Sequence, residues 1–149
     1  TVKKLASEPA VSPWEVEPAA PDRRILSGPH AETSVYTVRA KVIAYRQSND
    51  SDYHVILADM DDRSSTIIAE LAHPDCAVGS VKLDAIAQAR RDFLENVGAP
   101  SLSEVHFFLA KPIPVELTGV RFFDRIHGQN GVAPNGVELH PVLSVRRLP

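Results

Sequence analysis

Residues 35–71 read VYTVRAKVIAYRQSNDSDYHVILADMDDRSSTIIAEL, and their patterning decides the fold class. Tyr36, Val38, Ala40, Val42 and Ala44 alternate with Thr37, Arg39 and Lys41. Alternation with a period of two puts apolar groups on one face of a strand and polar groups on the other, which predicts a half-buried strand over 35–46. The polar run Gln47 to Asp52 is a turn into a second strand over 53–59. Asp61-Asp62-Arg63 turns the chain again, into a third strand over 66–71.

Downstream the period changes. Between Val81 and Val97 the apolar residues Leu83, Ile86, Ala87, Phe93, Leu94 and Val97 make one stripe of a helix. Ser80 is placed to cap its start and Gly98 to end it. Strand patterning then returns. Val105 to Leu109 reads as a short strand or part of a crossing, 114–124 as a longer strand with Gly119 at a bulge or bend, and 137–145 as the last. In that last strand Pro141 interrupts the donor row, which points to an edge or a bulge. Three strands, one helix and two strands is the order of a five-stranded OB-type barrel. The expected fold is therefore mainly β and of that type, with the helix between strands 3 and 4. Another small β-barrel or an α+β sheet satisfies the same order.

Residues 1–29 hold five of the twelve prolines and no sustained period, so 1–30 is expected to be an extended arm and 31–149 the barrel domain. Trp14 is the one large aromatic of the arm, expected to dock on the barrel or on a second subunit of a homo-oligomer. The 149 residues suffice for one domain with its own core. Sixteen basic and nineteen acidic residues give a net charge of −3, with no long basic block, which argues against non-specific binding of duplex DNA but not against a local groove. Cys76 is alone, so an internal disulfide and a paired-cysteine zinc site are excluded, and it is expected to be a small buried hydrophobe. No apolar run reaches the roughly 20 residues of a membrane helix.

Chemistry concentrates in two places. Asp124 to His140 reads DRIHGQNGVAPNGVELH, with Gly128, Gly131 and Gly136 among the seven glycines of the chain. A loop so punctuated is held in a shape that needs unusual backbone angles. Glu138 and His140 are two apart, hence on one strand face, opposite Val137 and Leu139. Asp52 and His54 repeat that spacing where the second strand begins, and Glu70 stands on the outward face of the third strand with Thr66 and Ile68.

An OB order would bring both segments to one binding face. Candidate ligand-binding residues are therefore Asp50, Asp52, His54, Asp124, His127, Gln129, Asn135, Glu138 and His140. Asp52, His54, Glu138 and His140 could hold a divalent metal, since imidazole and carboxylate suit Zn, Mn, Ni or Fe(II). His54, His140 and Glu138 could instead supply a general base and its orienting acid. The same residues could also be structural groups that fasten a long loop. His30, His73 and His106 have no evident partner in the sequence, and Phe107-Phe108 and Phe122-Phe123 each place at least one ring in the core if they lie in strands.

The segments Asp50 to His54 and FFDRIHGQNGVAPNGVELHPV, residues 122–142, resemble a family of small bacterial proteins, many of them exported, that carry FFD-x-x-HGQ-x-GVAPN-x-x-ELHPV. The resemblance covers about residues 35–145 and implies an exported, secreted or periplasmic protein with a similar barrel; it brings no activity. Three function classes follow. The first is an OB-type ligand-binding module for a polar polymer, nucleic acid or glycan, or for a small anion, with its site between the 50–54 turn and the 124–140 loop. The second is a metal-dependent, nuclease-like hydrolase using the Asp/Glu/His cluster. The third is a structural or assembly protein working through its arm.

Overall fold

A computed structural model describes residues 1–10 and 31–149; Trp14, His30 and most of the expected arm lie outside the described residues. The elements are α1 (Val2–Ala6), β1 (Val35–Gln47), β2 (Tyr53–Asp59), β3 (Thr66–Leu71), a 3-10 turn (Pro74–Ala77), α2 (Leu83–Asn96), β4 (Phe107–Phe123) and β5 (Val137–Arg147). The five strands form one sheet that closes in a ring, in the order β1-β2-β3-β5-β4. Neighbours are antiparallel except β3 and β5, which run parallel. The helix between β3 and β4 stands where the periodicity puts it. Among the described residues no helix is long and apolar enough to cross a membrane.

Alternation explains the interior. Val38, Ala40 and Val42 of β1, Val55 and Leu57 of β2, Ile67, Ala69 and Leu71 of β3, Val115 and Leu117 of β4, and Val137 and Leu139 of β5 share one buried cluster inside the ring. Burying side chains of this size stabilises by about 1.5–3 kcal/mol each relative to exposure. Two departures from simple alternation matter. Between Val42 and Ala44 the register of β1 shifts against both neighbours. Tyr45, rather than the expected Ala44, then joins the core cluster. In β5 the register against β4 shifts on both sides of Gly119. A β-carbon on Gly119 would approach Leu139 Cβ to 2.9 Å and the carbonyl of Pro141 to 3.2 Å, so only glycine fits where the strands press together. Pro141 lies at that bulge, two residues beyond the last β5 position paired with β3, Leu139.

The two helices close opposite ends of the ring. Phe93 of α2 packs edge-on against Tyr45, with ring centroids 5.6 Å apart, and stands 6.0 Å from the ring of Tyr53. Arg90 is buried beside it, stacked 3.6 Å from the Tyr53 ring centre. Its guanidinium donates to the carbonyls of Leu71, at 2.7 Å, and Ser51, at 3.1 Å. Buried, it is a stay between α2 and the turns that frame β2 and β3. The buried face thus differs from the expected stripe, because Leu94 is exposed while Ala89 and Arg90 are covered. Ser80 caps only locally, its Oγ accepting from the Lys82 amide at 3.1 Å.

At the other end α1 corrects the expectation of an arm without regular structure. Val2 and Leu5 are buried in the core cluster, and the Lys3 amide donates to Asp59 Oδ2 at 2.8 Å. Two further expectations fail. Cys76 is exposed on the 3-10 turn, which has no buried residue at all. Phe107 and Phe108 are both exposed, because β4 starts eight residues before its first fully buried position, Val115, and reaches beyond the packed ring. Phe122 and Phe123 behave as alternation requires, with Phe123 in the core.

Candidate functional site

Outside the ring, β2, β3 and β5 present the partners of their core residues. Register fixes who meets whom. Arg46 pairs with His54 across β1 and β2, His54 with Glu70 across β2 and β3, and Ile68 with Glu138 across β3 and β5. One row of polar side chains consequently crosses four strands on the outer face. Glu70 is its centre. Its Oε1 lies 3.3 Å from His54 Nε2, and its Oε2 lies 3.1 Å from His140 Nδ1. His140 Nδ1 is also 3.7 Å from Glu138 Oε1. His54 turns its other nitrogen, Nδ1, to His106 Nε2 at 2.9 Å.

Asp52 enters from the turn before β2. Ser51 there has φ near 73°, Asp50 Oδ1 accepts from the Asp52 amide at 3.1 Å, and Arg90 holds the Ser51 carbonyl. These fix the backbone so that Asp52 Oδ1 accepts the His73 amide at 2.6 Å, which ties the first turn to the segment leaving β3. Asp52, Glu70 and His140 each offer one ligand atom, and the three atoms lie within 4.8 Å of one another. Donors about 2.0–2.2 Å from one tetrahedral ion are roughly 3.3 Å apart, so a bound cation would draw the more distant of these atoms inward.

The electrostatics favour such a charge. Burial pushes Glu70 up to about 8, and the nearby Glu138 carboxylate adds to the rise. Asp52 is raised as well, mainly by burial. Burial pushes His54 down to about 4, helped by His106 and by the Arg46 guanidinium, and His106 falls to about 4 through burial and Arg46. Near neutral pH both imidazoles are therefore uncharged, one donating to the other, and Glu70 holds a proton. Burial keeps the proton on Glu70, and a cation beside it would offset that desolvation and the Glu138 repulsion that adds to it.

The long loop reaches this face. Gly131, at φ near 82°, lies on Ile56, so closely that a β-carbon would overlap Cγ2 of that side chain. The loop thus covers the sheet next to the polar row. Its own polar residues mostly bind one another. Gln129 Oε1 accepts the His127 amide at 2.7 Å, Gln129 Nε2 donates to Asp124 Oδ2 at 3.1 Å, and His127 Nε2 is 3.7 Å from Asp124 Oδ2. Asn135 is buried and serves the other end, donating to the carbonyls of Leu5, at 2.8 Å, and Glu8, at 3.1 Å.

Of the residues expected at the site, Asp52, His54, Glu138 and His140 gather around Glu70. Asp50 supports the turn from its exposed position. Asp124, His127 and Gln129 form a separate loop cluster, and Asn135 latches α1. Sequence reasoning gave Glu70 only a minor part; its central one follows from the β2–β3 register, which pairs it with His54. His106 and Arg46 were missed. No sequence pattern links His106 to His54, fifty-two residues away.

No family model matches the chain, and no curated protein does. Among solved structures, a chain provisionally assigned as an aspartyl-tRNA synthetase from Leishmania major Friedlin is similar, with a TM-score of 0.43 and 17% identity. The match covers 93% of this chain but 23% of that one, so this chain spans less than a quarter of its length. A likeness this weak carries no argument about activity.

Proposed function

We propose that this chain is an OB-type binding module whose outer β2-β3-β5 face holds a divalent cation through Asp52, Glu70 and His140, and through it a polar or anionic ligand. The observation that carries the reading is the Glu70 carboxyl, set between two imidazoles with Asp52 in reach. The closure order of the strands, the parallel β3–β5 pair and the position of α2 support the OB type. The face is also the one on which OB folds bind their ligands. An exported location belongs to the same reading and is supported by the 122–142 motif.

A hydrolase is the weaker alternative. His54 at about 4 is a poor general base near neutral pH, because proton transfer is most efficient when the base titrates close to the working pH. The test is calorimetric titration of chelator-treated protein with Mn²⁺ and Zn²⁺. Wild type should bind one ion per chain, and Glu70→Gln and His140→Ala should weaken it by at least about tenfold. His127→Ala, in the separate loop cluster, should leave it unchanged. Absence of binding in wild type, or equal binding in all variants, overturns the reading.

A further inference from the structure

The arginine at the end of the polar row differs from the other half-buried and buried ones, while Arg63, Arg125 and Arg147 likewise form no ion pair among the described residues. Arg39, Arg121 and Arg146 are each paired with a carboxylate, and Arg90 donates to two backbone carbonyls. Arg46 forms no ion pair among the described residues. Its Nη1 donates to the Ser103 carbonyl at 3.2 Å, while its Nε is buried with no acceptor. Buried donors are almost always satisfied, and a guanidinium has five N–H groups in a planar fork that matches an oxyanion. The buried Nε is closed to outside groups, so an acceptor from outside the chain would meet the Nη edge of the fork, where among the described residues only the Ser103 carbonyl is bound.

Its surroundings say what that acceptor is. Arg46 faces His54 across β1 and β2. The register that pairs Tyr45 with Phe107 and Ala44 with Phe108 brings His106 beside Arg46 and puts Phe108 on the same face. Phe108 is 59% exposed. An anionic group on Arg46 would thus lie two strands from Glu70, with the His106 imidazole at its side and an open aromatic surface next to it.

We propose that Arg46, with His106 and Phe108 beside it, forms an oxyanion subsite for the phosphate group of the ligand. This rests on the reading that the outer face is the binding face. Phosphate fits because its tetrahedral oxygens let Arg46 take two while another reaches the adjacent His106 imidazole; a ring attached to it can stack on Phe108. Inorganic phosphate and the phosphodiester of a single strand share this chemistry.

The test uses chelator-treated full chain in three separate arms. Inorganic phosphate is titrated by calorimetry, a fluorescein-labelled oligothymidylate by anisotropy, and Mn²⁺ without either by calorimetry. Wild type should bind phosphate or the oligonucleotide, and Arg46→Met should weaken that binding by at least about tenfold with Mn²⁺ binding unchanged. Arg46→Lys, which keeps the charge but not the fork, should fall between them and serves if the methionine variant does not fold. Preference for the oligonucleotide assigns the phosphate to a nucleic-acid strand, preference for free phosphate to a small ligand. Wild type that binds neither, or equal binding by wild type and variants, overturns the subsite. Loss of the Mn²⁺ arm alone counts against the cation and leaves Arg46 standing.

Discussion

His140 Nδ1 lies 3.1 Å from Glu70 Oε2, across the β3–β5 seam where the two strands run parallel. The pairing joins the long loop, which ends in β5, to the β2–β3 hairpin. It also sets a carboxyl that holds its proton against an imidazole, and the pH behaviour of the protein follows from that.

Glu70 rises from 4.5 to about 8 on folding, so the native state binds more protons than the unfolded one between those values. Its contribution to stability is complete below the lower value and is lost as pH rises through the upper one. His54 and His106, lowered from 6.5 to about 4, act in the opposite sense: their neutral burial costs nothing above pH 6.5 and is penalised as pH falls toward 4. Two histidines outweigh one glutamate on the acid side, and Glu70 acts alone above 6.5. Urea denaturation in chelator should therefore show a maximum near pH 6.5 and a loss on the order of 1–2 kcal/mol by pH 8. Glu70→Gln should flatten the alkaline limb; an unchanged limb would mean that Glu70 titrates normally.

Cation binding should release a proton. Near neutral pH Glu70 must lose its own to become a ligand, and metal sites generally bind at the expense of protons. Calorimetry with Mn²⁺ in two buffers of different ionisation enthalpy should give close to one proton per ion, and none in Glu70→Gln. A saturating cation, at about 100 times its Kd, should stabilise wild type by about 2.7 kcal/mol.

Gly131→Ala should be costly. The substitution combines a left-handed backbone with overlap on Ile56. Strain of roughly 1 kcal/mol and overpacking of about 1–3 kcal/mol predict a total near 2–4 kcal/mol. Ile56→Val should relieve part of it, and a double-mutant cycle by denaturation would show coupling between the two sites. Simple additivity would mean that the loop does not rest on Ile56.

Asn135→Ala should free the N-terminal helix. The side chain holds the carbonyls of Leu5 and Glu8, and its Oδ1 accepts the Val137 amide at 3.1 Å. Losing two buried hydrogen bonds and one part-buried one should destabilise by about 2–3 kcal/mol. Hydrogen exchange should accelerate at the amides of α1 and at Val137, while the amides of β2 and β3 keep their protection. Uniform acceleration would indicate global destabilisation instead.

The parts legible in the sequence were those set by periodicity. Tyr53–Asp59 and Thr66–Leu71 fell at their expected bounds because polar turns delimit them on both sides. The two-residue spacing of Asp52 with His54 and of Glu138 with His140 carried enough geometry to place each pair on a face. What could not be read depended on register between distant strands. Glu70 becomes central through its pairing with His54, and His106 meets His54 at the tip of a strand whose start lacks any burial pattern. Asn135 looked like one more loop residue of the motif; that it latches residues more than a hundred positions earlier is a tertiary fact.

The shift in β1 between Val42 and Ala44 acts as a change of phase. Ahead of it the even-numbered residues fill the ring, and behind it the odd-numbered Tyr45 does. Without that slip Arg46 would be sealed in the interior and Tyr45 would stand outside it. The chemistry of the outer face thus hangs on the number of residues in a strand as much as on their identity. Pairing the strand straight with Ile43 retained would leave every proposed ligand in place, yet exchange a cation for an aromatic ring at the edge of the site; deleting Ile43 as well would restore the present faces.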